Sequence, residues 1–532
     1  MSFRWTAVAL LLAVAELSQA ATIRVPRDQD TIQAALDAAQ PGDTVLVAPG
    51  RYRERIQLRP NVTVRSDGDE TRGEIGLARA EATILDGGGA GDRPGVTMAK
   101  GATLDGFTVT NVGQFDEALW QRHYDSHGEE LGDDEGSVQA EGTIPAIRIE
   151  SVDCSVINNI VHHNGDVGIA ATGNRPGQTG SAAIENPAIE NPVIANNVAY
   201  RNLGGGIGVA DLARPIVRGN VCYENLRAGI GCRNASPMIV GNTCYHNVRA
   251  GIGCREGATP VIRDNKCYRN RRAGIGIRMP KTAPLVAANQ CYENDMAGIG
   301  SRDGAEPIIR GNECFRNKMA GIGADGSRPM IVANHCYEND MAGIGLRGQA
   351  DAVLRGNRCI ENKLVAIGVT AGSTAIVEGN ELLRTGGMPP LVAVKDGSTA
   401  TVSKNHFTGG GVAGLLIQGD VTAVDNQFAA NNPRQGNGVW VWEGSTANIA
   451  KNQFDGYRAA VNATKSAVAI SDNHIAGFSR IAIVVKGDKQ PSHVYGNLAI
   501  SDDSQAQVVD IQGPTGIVRD NEVRATADKT NQ

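Results

Sequence analysis

The sequence predicts an all-β fold, a solenoid of short parallel strands, and two observations indicate it. Seven successive units begin with asparagine and follow one another at intervals of 22 to 24 residues. A period of this length is too short for two helices, and its runs are rich in β-branched and small residues, which favours three strands per unit. The chain also has 66 glycines among 532 residues, without the spacing of collagen, as closely spaced turns require. The regular units begin at Asn220, Asn242, Asn265, Asn289, Asn312, Asn334 and Asn357, and weaker ones at Asn159, Asn197, Asn380, Asn405, Asn426, Asn452, Asn473, Asn497 and Asn521.

The alternation of side chains within a unit predicts which residues face the interior. In the unit that begins at Asn242, Cys244 and Ile252 fall on one face, and Tyr245 and Arg255 fall on the other. Equivalent strands of successive units would stack in parallel at about 4.8 Å. The repeats along the chain correspond to roughly 17 to 20 coils. The asparagines fall at corners, where Asn tolerates a left-handed backbone and its amide can bond its copy in the next coil.

The chain divides into four segments. Residues 1–20 form a secretory signal, with Arg4 before an apolar stretch and small residues at the end. Residues 21–60 form an N-terminal cap and the first coils, and a short helix is expected from the spacing of Ile32 and Leu36, capped by Asp30 or Thr31. Residues 61–379 form the regular solenoid, with an inserted loop at about 112–142. Residues 380–532 continue it in less regular coils.

Export and charge narrow the function classes. No stretch after the signal approaches the roughly 18 apolar residues of a spanning helix, so we expect a periplasmic or secreted protein. The net charge is −6, from 51 basic and 57 acidic residues, which gives no bulk attraction to nucleic acid. The oligomeric state is left open.

These repeats resemble the right-handed parallel β-helix proteins of the pectin-lyase-like superfamily. More narrowly, they are similar to the carbohydrate-binding and sugar-hydrolase repeat group, which includes the NosD-type periplasmic proteins of copper-enzyme maturation. The segment TIQAALDAAQPGDTVLVAPGRYRE is similar to the start of many such proteins, a short helix followed by the first coils. The resemblance implies a single right-handed parallel β-helix with a capping helix. It leaves the activity open, because this scaffold carries lyases, hydrolases, epimerases, adhesins and non-enzymes.

The catalytic signatures of the superfamily are mostly missing. The chain has no Asn-Thr-Asp, Asp-Asp and Gly-His-Gly set like that of the pectin hydrolases, and only Ser126-His127-Gly128 echoes it in part. It also lacks the Asp-Pro-His-Asp signature of the alginate epimerases and an obvious pectate-lyase calcium cluster. Whether the chain is an enzyme therefore stays open; if it is one, a polysaccharide lyase or epimerase is expected.

The first functional hypothesis is that the chain binds an acidic polysaccharide. From residue 197 to residue 363 there are 23 basic and 14 acidic residues, a balance of +9 in an otherwise acidic chain. Aromatic and basic side chains recur on the predicted outer surface of this region. The alternative is that stacked aromatic rings stabilise the sheet and that solvated arginines keep a long solenoid soluble. The predicted binding residues are Tyr223, Tyr245, Tyr268, Arg227, Arg249 and Arg272.

A second feature is the insertion after Asn111. Alignment of the coils places Asn111 over Asn164, so the loop would leave the solenoid close to a histidine pair. Its histidines could join that pair in a metal site or an acid/base pair, since His is suited to both near neutral pH. The alternative is a solvated flap. The candidate catalytic residues are His123, Asp125, His127, His162, His163 and Asp166.

The rival hypothesis is copper handling, with calcium or copper as the cofactor candidates. Seven cysteines occupy one position in consecutive coils, and Met296, Met319 and Met341 occupy another. Thiolates and thioethers suit Cu(I). The cysteines also fit an inward position, where a free thiol is an ordinary small hydrophobe, and this interpretation is favoured. A third hypothesis is a non-catalytic surface or adhesion rod.

Overall fold

The chain forms one solenoid of parallel strands, and each coil contributes a strand to each of three sheets. The structure is a computed structural model, and it describes residues 20–126, 144–173, 191–395, 397–487 and 491–526. The predicted signal, except for Ala20, lies outside the described residues. In the described part of the chain, no helix has the length and apolar character needed to cross a membrane.

Sheet 1 is named for its place as the first strand of each coil. Its strands pair in parallel and in register. Within the described residues it has 20 strands, which makes the solenoid about 90 Å long at a spacing of about 4.8 Å. The strands of sheet 1 are Thr22–Val25, Thr44–Val47, Thr63–Ser66, Thr103–Asp105, Ser155–Ile157, Val193–Ala195, Ile216–Arg218, Met238–Val240, Val261–Arg263, Leu285–Ala287, Ile308–Arg310, Met330–Val332, Asp351–Arg355, Thr374–Glu378, Thr399–Ser403, Asp420–Val424, Thr446–Ala450, Ala467–Ser471, Ser492–Tyr495 and Thr515–Arg519.

Sheet 2 follows sheet 1 in each coil and carries the cysteine and tyrosine columns. Cys222, Cys244 and Cys267 pair in direct register, and all ten cysteines are buried free thiols. The strands of sheet 2 are Gly50–Tyr52, Thr83–Gly89, Thr108–Val112, Ile160–His162, Val198–Tyr200, Val221–Tyr223, Thr243–Tyr245, Lys266–Tyr268, Gln290–Tyr292, Glu313–Phe315, His335–Tyr337, Arg358–Ile360, Glu381–Arg384, His406–Gly409, Gln427–Ala429, Gln453–Asp455, His474–Ala476, Leu498–Ile500 and Glu522–Arg524.

Sheet 3 completes each coil. In it the buried isoleucines Ile252 and Ile275 alternate with glycines that face outward. The strands of sheet 3 are Ile56–Gln57, Val96–Thr97, Ile147–Glu150, Ile169–Thr172, Ile207–Ala210, Ile230–Arg233, Ile252–Arg255, Ile275–Arg278, Ile299–Arg302, Ile322–Asp325, Ala342–Arg347, Val365–Val369, Val392–Val394, Ala413–Ile417, Gln435–Val441, Tyr457–Thr464, Ile481–Lys486 and Gln507–Gln512.

The predicted asparagine ladders are confirmed at the corners. The side-chain nitrogen of Asn242 and its backbone N–H both donate to Oδ1 of Asn265, at 3.0 and 2.8 Å. The prediction of a left-handed backbone at Asn itself is wrong. The left-handed residue is the one before it, such as Gly241 (φ 64°) or His246 (φ 53°). That residue makes the bend, and the Asn side chain can then turn inward, where its amide is buried.

The N-terminal helix spans Ile32–Ala38, as predicted. Thr31 caps it by accepting a hydrogen bond from the backbone N–H of Ala34 at 3.1 Å. Ile32 and Leu36 are fully buried against the first coils, so the helix covers the open apolar end of the solenoid. Two further helices span Ala78–Ala82 and Glu117–Asp125.

Candidate functional site

A flat strip of glycines runs along the outer face of sheet 3. Because each glycine pairs with its copy in the next coil, the strip spans eight coils, or about 34 Å at the strand spacing. In six of them, from Gly231 to Gly345, φ is not positive, and a Cβ atom would come no closer than 3.5 Å to a heavy atom of any described residue other than its chain neighbours. Neither backbone conformation nor packing therefore requires glycine there. The glycines are Gly208, Gly231, Gly253, Gly276, Gly300, Gly323, Gly345 and Gly368.

The other glycine of each repeat has a different role. A Cβ atom at Gly251 would lie 2.8 Å from the carbonyl oxygen of Gly274 in the next coil and 2.9 Å from Nδ2 of Asn270. This glycine is required by close packing of the backbone at the corner between sheets 2 and 3. From sequence, the Ala-Gly-Ile-Gly element of each repeat predicts a tight bend at both of its glycines. That is correct for Gly251 and wrong for Gly253, which lies on the open face.

Two rows of arginines border the glycine strip, and together they form the feature that we call the trough. One row lies on sheet 3, two residues after the glycine in five of the eight coils; Ala210, Asp325 and Thr370 take this position in the other three. The other row lies at the corner between sheets 2 and 3. Burial lowers the pKa of Arg255, and the charge of Glu256 opposes this effect. The charges of Arg233, in the same row, and of Arg227, in the corner row, lower it further, so charges of the two rows interact across the strip. The sheet row is Arg233, Arg255, Arg278, Arg302 and Arg347, and the corner row is Arg227, Arg249 and Arg272.

The sheet row has acidic partners: Asp211 and Glu256 lie on its far side, at the corner between sheets 3 and 1, whereas Asp325 lies within the row and accepts a hydrogen bond from Nε of Arg347 at 2.9 Å. Arg233 approaches Asp211 at 3.6 Å, and Arg255 approaches Glu256 at 3.5 Å. Asp211 and Glu256 follow the strands, whereas the glycine strip precedes the arginines. Arg233 and Arg255 therefore lie between these two carboxylates and the glycine strip.

The corner row changes from arginine to methionine in later coils. Backbone hydrogen bonds link Met296 to Arg272 and Met341 to Met319, at 3.3 and 3.2 Å. Met296 and Met341 are 41% and 42% exposed. The three predicted methionines thus form an apolar continuation of the trough wall. The cysteine column lies inside the sheet, where burial raises the pKa of thiols such as Cys314, so the two sulfur series do not share a site.

The tyrosine column lies on sheet 2, around the corner from the trough. Tyr223, Tyr245 and Tyr268 stack with ring centroids 5.0 and 5.1 Å apart and planes within 6°. Each ring therefore covers the face of the next and presents mainly its edge to solvent. A sugar ring that packs on an aromatic group needs a free face. This geometry favours the stabilising interpretation of these tyrosines.

The helix Glu117–Asp125, which we call the covering helix, lies between the tyrosine column and the trough. Trp120 is 2% exposed and packs with Leu226 and Val248 at the corner. Its Nε1 donates to the carbonyl oxygen of Glu224 at 3.0 Å, and the guanidinium of Arg201 lies 4.0 Å from the ring centroid. The insertion therefore begins as a helix that is anchored to the solenoid.

A histidine pair begins the aromatic column of sheet 2. His162 stacks on Tyr200 at 4.8 Å, and its Nδ1 lies 2.7 Å from Nδ1 of His163, so one ring donates and the other accepts. Burial, with smaller effects of His163 and Arg51, lowers the pKa of His162 to about 4. The pKa of His163 is lowered by burial and by Arg201, against the charge of Glu117. Both rings are therefore neutral at pH 7.

Comparison with known proteins establishes the family. The family described as "Right handed beta helix region" matches residues 145–289, 279–388 and 390–529. The chain belongs to this right-handed β-helix family. The predicted handedness is thereby confirmed, together with the parallel strands seen in the structure.

The chain is similar to several solved structures. The A-module of the mannuronan C-5 epimerase AlgE4 of Azotobacter vinelandii is 15% identical (TM-score 0.38), over 70% of this chain and 91% of that one. The periplasmic alginate epimerase AlgG is 13% identical (TM-score 0.38), over 72% and 82%. The GH87 α-1,3-glucanase of Streptomyces thermodiastaticus strain HF3-3 is 12% identical (TM-score 0.43), over 70% and 64%. No curated protein matches the chain significantly.

The described members of the predicted catalytic set lie in three separate places in this β-helix. His163 approaches Glu117, at the start of the covering helix, with 3.9 Å between Nε2 and Oε2. His123 and Asp125 lie on its last turns, about 9 and about 12 Å further along the helix axis from Glu117 at 1.5 Å per residue. Asp125 is exposed and accepts a hydrogen bond from its helix neighbour Gln121 at 2.8 Å. His127 lies outside the described residues.

The remaining predicted residue, Asp166, belongs to the corner row of the trough. Its charge opposes the effect of burial, which lowers the pKa of Arg227. The coil alignment that placed Asn111 over Asn164 is wrong by one residue, since Oδ1 of Asn164 accepts from the backbone N–H of Val112 at 3.0 Å. Among the residues that the structure describes, no three His, Cys, Asp or Glu side chains are grouped to hold a metal ion.

Glu117 and the trough glycines are the residues that sequence reasoning missed. Glu117 lies in a segment without a repeat, so no register predicted its approach to His163. The trough glycines did carry a signal. They follow an inward isoleucine and precede an inward residue, so strict alternation predicts that they face solvent, where a bend needs no glycine.

Proposed function

We propose that this β-helix protein binds an acidic polysaccharide along the trough, outside the cytoplasm. The observation that carries the proposal is the glycine strip. Glycine in a strand costs about 0.5–1 kcal/mol relative to alanine, yet it recurs at six positions where a Cβ atom would fit. A strand glycine often marks a bulge, a tight bend, or a place where a ligand or another backbone approaches closely, and the regular register of sheet 3 favours the last of these.

The charge of the walls supports an anionic ligand. Arg227, Arg249 and Arg272 border one side of the strip, and Arg255 and Arg278 border the other. Guanidinium groups bind carboxylates in bidentate geometry, which a lysine cannot reproduce. Because the arginines repeat from coil to coil, they match a polymer that carries an anionic group on successive units.

Other functions stay predictions. Lyase or epimerase chemistry lacks support from the histidine pair, because His162 and His163 lie on sheet 2 and not in the trough. For a NosD-like role in copper-enzyme maturation, the remaining candidate ligands are Met296, Met319 and Met341, which continue the corner row in successive coils. The same trough serves an adhesion rod if the polysaccharide is a surface polymer.

The test is the affinity of the purified mature chain for polygalacturonate and alginate, measured by isothermal titration calorimetry beside a neutral glucan. We expect saturable binding of a polyuronate that weakens as salt rises, and no binding of the glucan. The double variant R255S/R278S should bind at least 10-fold more weakly. The matched control is Arg310→Ser, an exposed arginine on sheet 1. Equal loss in the control, or undiminished binding by the double variant, would remove the trough as the site.

A further inference from the structure

A cavity of about 370 Å³ opens at the corner between sheets 2 and 3 in the later coils. Its walls come from four successive coils, and glycine-rich turns form much of its floor. Gly409 cannot accept a side chain, since its Cβ position is filled by the carbonyl oxygen of Arg384. The size falls within the range of small-molecule sites. The side chains that matter below are Arg384, Asn437, Trp440, Tyr457 and Arg458.

Arg384 lines this cavity with an unsatisfied guanidinium. The side chain is only 5% exposed. Its Nε donates to the carbonyl oxygen of Gly386 at 3.0 Å, and Nη1 donates to that of Leu364 at 2.9 Å. Nη2 is buried and has no hydrogen-bond partner. Both acceptors are neutral. The charge of Glu361 opposes the effect of burial on the pKa of Arg384, but no described residue accepts from Nη2, which is left for an anionic ligand to satisfy.

Trp440 supplies an apolar wall and connects the cavity to the trough. The outward position of sheet 3 passes in register from Gly368 through Ala393 and Leu416 to Trp440. Because Ala393 and Leu416 are buried, strand register and not an open floor links the trough to this partly exposed indole. Trp442 lies beside that indole in a T-shaped arrangement, with centroids 5.3 Å apart and planes at 61°.

The rest of the lining is held rigidly. Tyr457 is buried, and its hydroxyl donates to the carbonyl oxygen of Gly409 at 2.7 Å. A second cation lies at the rim, where Nη2 of Arg458 donates to Oδ1 of the buried Asn437 at 3.4 Å. The cavity thus combines two guanidinium groups with one aromatic wall.

We infer that this cavity is a subsite for one uronic acid unit, with the sugar ring against Trp440 and its carboxylate accepting from Nη2 of Arg384. Its place at the end of the trough assigns it to the terminal unit of the polysaccharide. The terminal assignment rests on the proposed function, whereas recognition of a single carboxylated sugar does not.

The test uses the free monosaccharides D-galacturonate and D-glucuronate, with ligand-observed NMR as the readout. We expect saturable binding of at least one of them to the full mature chain. Trp440→Ala should weaken that binding at least 10-fold, and Trp442→Ala, a neighbour outside the cavity lining, should not change it. Arg384→Met is the complementary variant, and Trp440→Ala keeps the test valid if that buried substitution fails to fold. Galactose, which lacks the carboxylate, and inorganic phosphate, which lacks the ring, should not compete.

Three results would overturn the inference: no binding of either uronate, equal binding of galactose or phosphate, or unchanged binding by Trp440→Ala. Failure of the proposed function looks different. In that case the chain would bind the monosaccharide but no polyuronate. If both proposals hold, R255S/R278S should lose the polymer and keep the monosaccharide, and Trp440→Ala should do the reverse.

Discussion

The regular coils and the later coils fill the same corner with different side chains. Between residues 220 and 363, a second asparagine ladder occupies the corner between sheets 2 and 3, and Nδ2 of Asn270 donates to Oδ1 of Asn294 at 3.0 Å. In the later coils the cysteine column continues in register as Phe407, Phe428 and Phe454, whose rings stack at 4.2 and 4.7 Å. The asparagine ladder after sheet 1 runs through both regions.

The side chain that packs at the corner between sheets 2 and 3 determines how much the length of the turn can vary. An asparagine ladder needs its amides at one height in every coil, so each turn in the regular region has the same length and the face beside it is flat. A Cβ atom at Gly414 would lie 2.8 Å from Phe428, so a phenyl ring fills the space that an amide fills elsewhere. A ring needs no register of hydrogen bonds. The turns of the later coils can therefore vary, and there the cavity opens.

The largest expected effect comes from removing a ring in the later coils. Phe428→Ala should lower the free energy of unfolding by about 3–5 kcal/mol, because a fully enclosed ring leaves a cavity. Denaturant unfolding measures the change. If the loss is under about 1 kcal/mol, the ring does not support this corner.

The polar ladder can be broken at Asn270. Its Oδ1 accepts from the backbone N–H and side chain of Asn247, and its Nδ2 donates to the carbonyl oxygen of Cys244 and to Asn294. Asn270→Ala should cost roughly 2–4 kcal/mol, since each buried group left unpaired costs about 1–3 kcal/mol. Hydrogen exchange should localise the loss to the regular coils. An equal increase of hydrogen exchange in the regular coils and the later coils would contradict the idea that the two regions are stabilised by separate corner side chains.

Acid should weaken the start of the aromatic column. Because the pKa of His162 lies at about 4, below its ordinary 6.5, the unfolded chain takes up a proton first. The stability that the neutral ring contributes is therefore present above pH 6.5 and is lost as the pH falls toward 4, by up to about 3 kcal/mol. His162→Phe should remove this dependence and keep the stack on Tyr200. Stability of the parent chain that is constant from pH 7 to pH 4.5 would contradict it.

The two glycines of one repeat offer a matched pair. Gly251→Ala should destabilise the chain by about 1–3 kcal/mol, because the new methyl group meets the backbone of the next coil. Gly253→Ala should be neutral or stabilise by up to about 1 kcal/mol. The unfolding temperatures of both variants test this prediction. Equal destabilisation would show that the corner glycine and the trough glycine do not differ in their role in stability.

The smallest structural effect is expected at the corner row. Replacing Arg227, Arg249 and Arg272 with Ser should leave the unfolding temperature within about 2 °C and weaken polyuronate binding by about 10-fold, since these arginines line the trough from outside the core. Calorimetry measures both quantities. Unchanged binding would exclude the corner row from the site.

The sequence predicts the solenoid well because each coil repeats the same instructions. The period around Asn242 and the inward position of Cys244 follow from spacing and alternation alone. The site is predicted in part, since the repeat also places Arg227 and its copies in one row. The packing of Trp120 against the corner could not be predicted, because an insertion has no strand register with the coils. Nor could the surroundings of Arg384, which come from turns of unequal length in separate coils.

We propose that glycine occupies the trough positions because a ligand binds there, and not because the fold requires it. The most direct measurement is the polyuronate affinity of Gly276→Val beside its unfolding temperature, because the valine would stand on the trough floor where the nearest atom to its Cβ is 3.5 Å away. We predict that binding falls at least 10-fold while the unfolding temperature is unchanged or rises. Full affinity in a folded Gly276→Val variant would contradict the account.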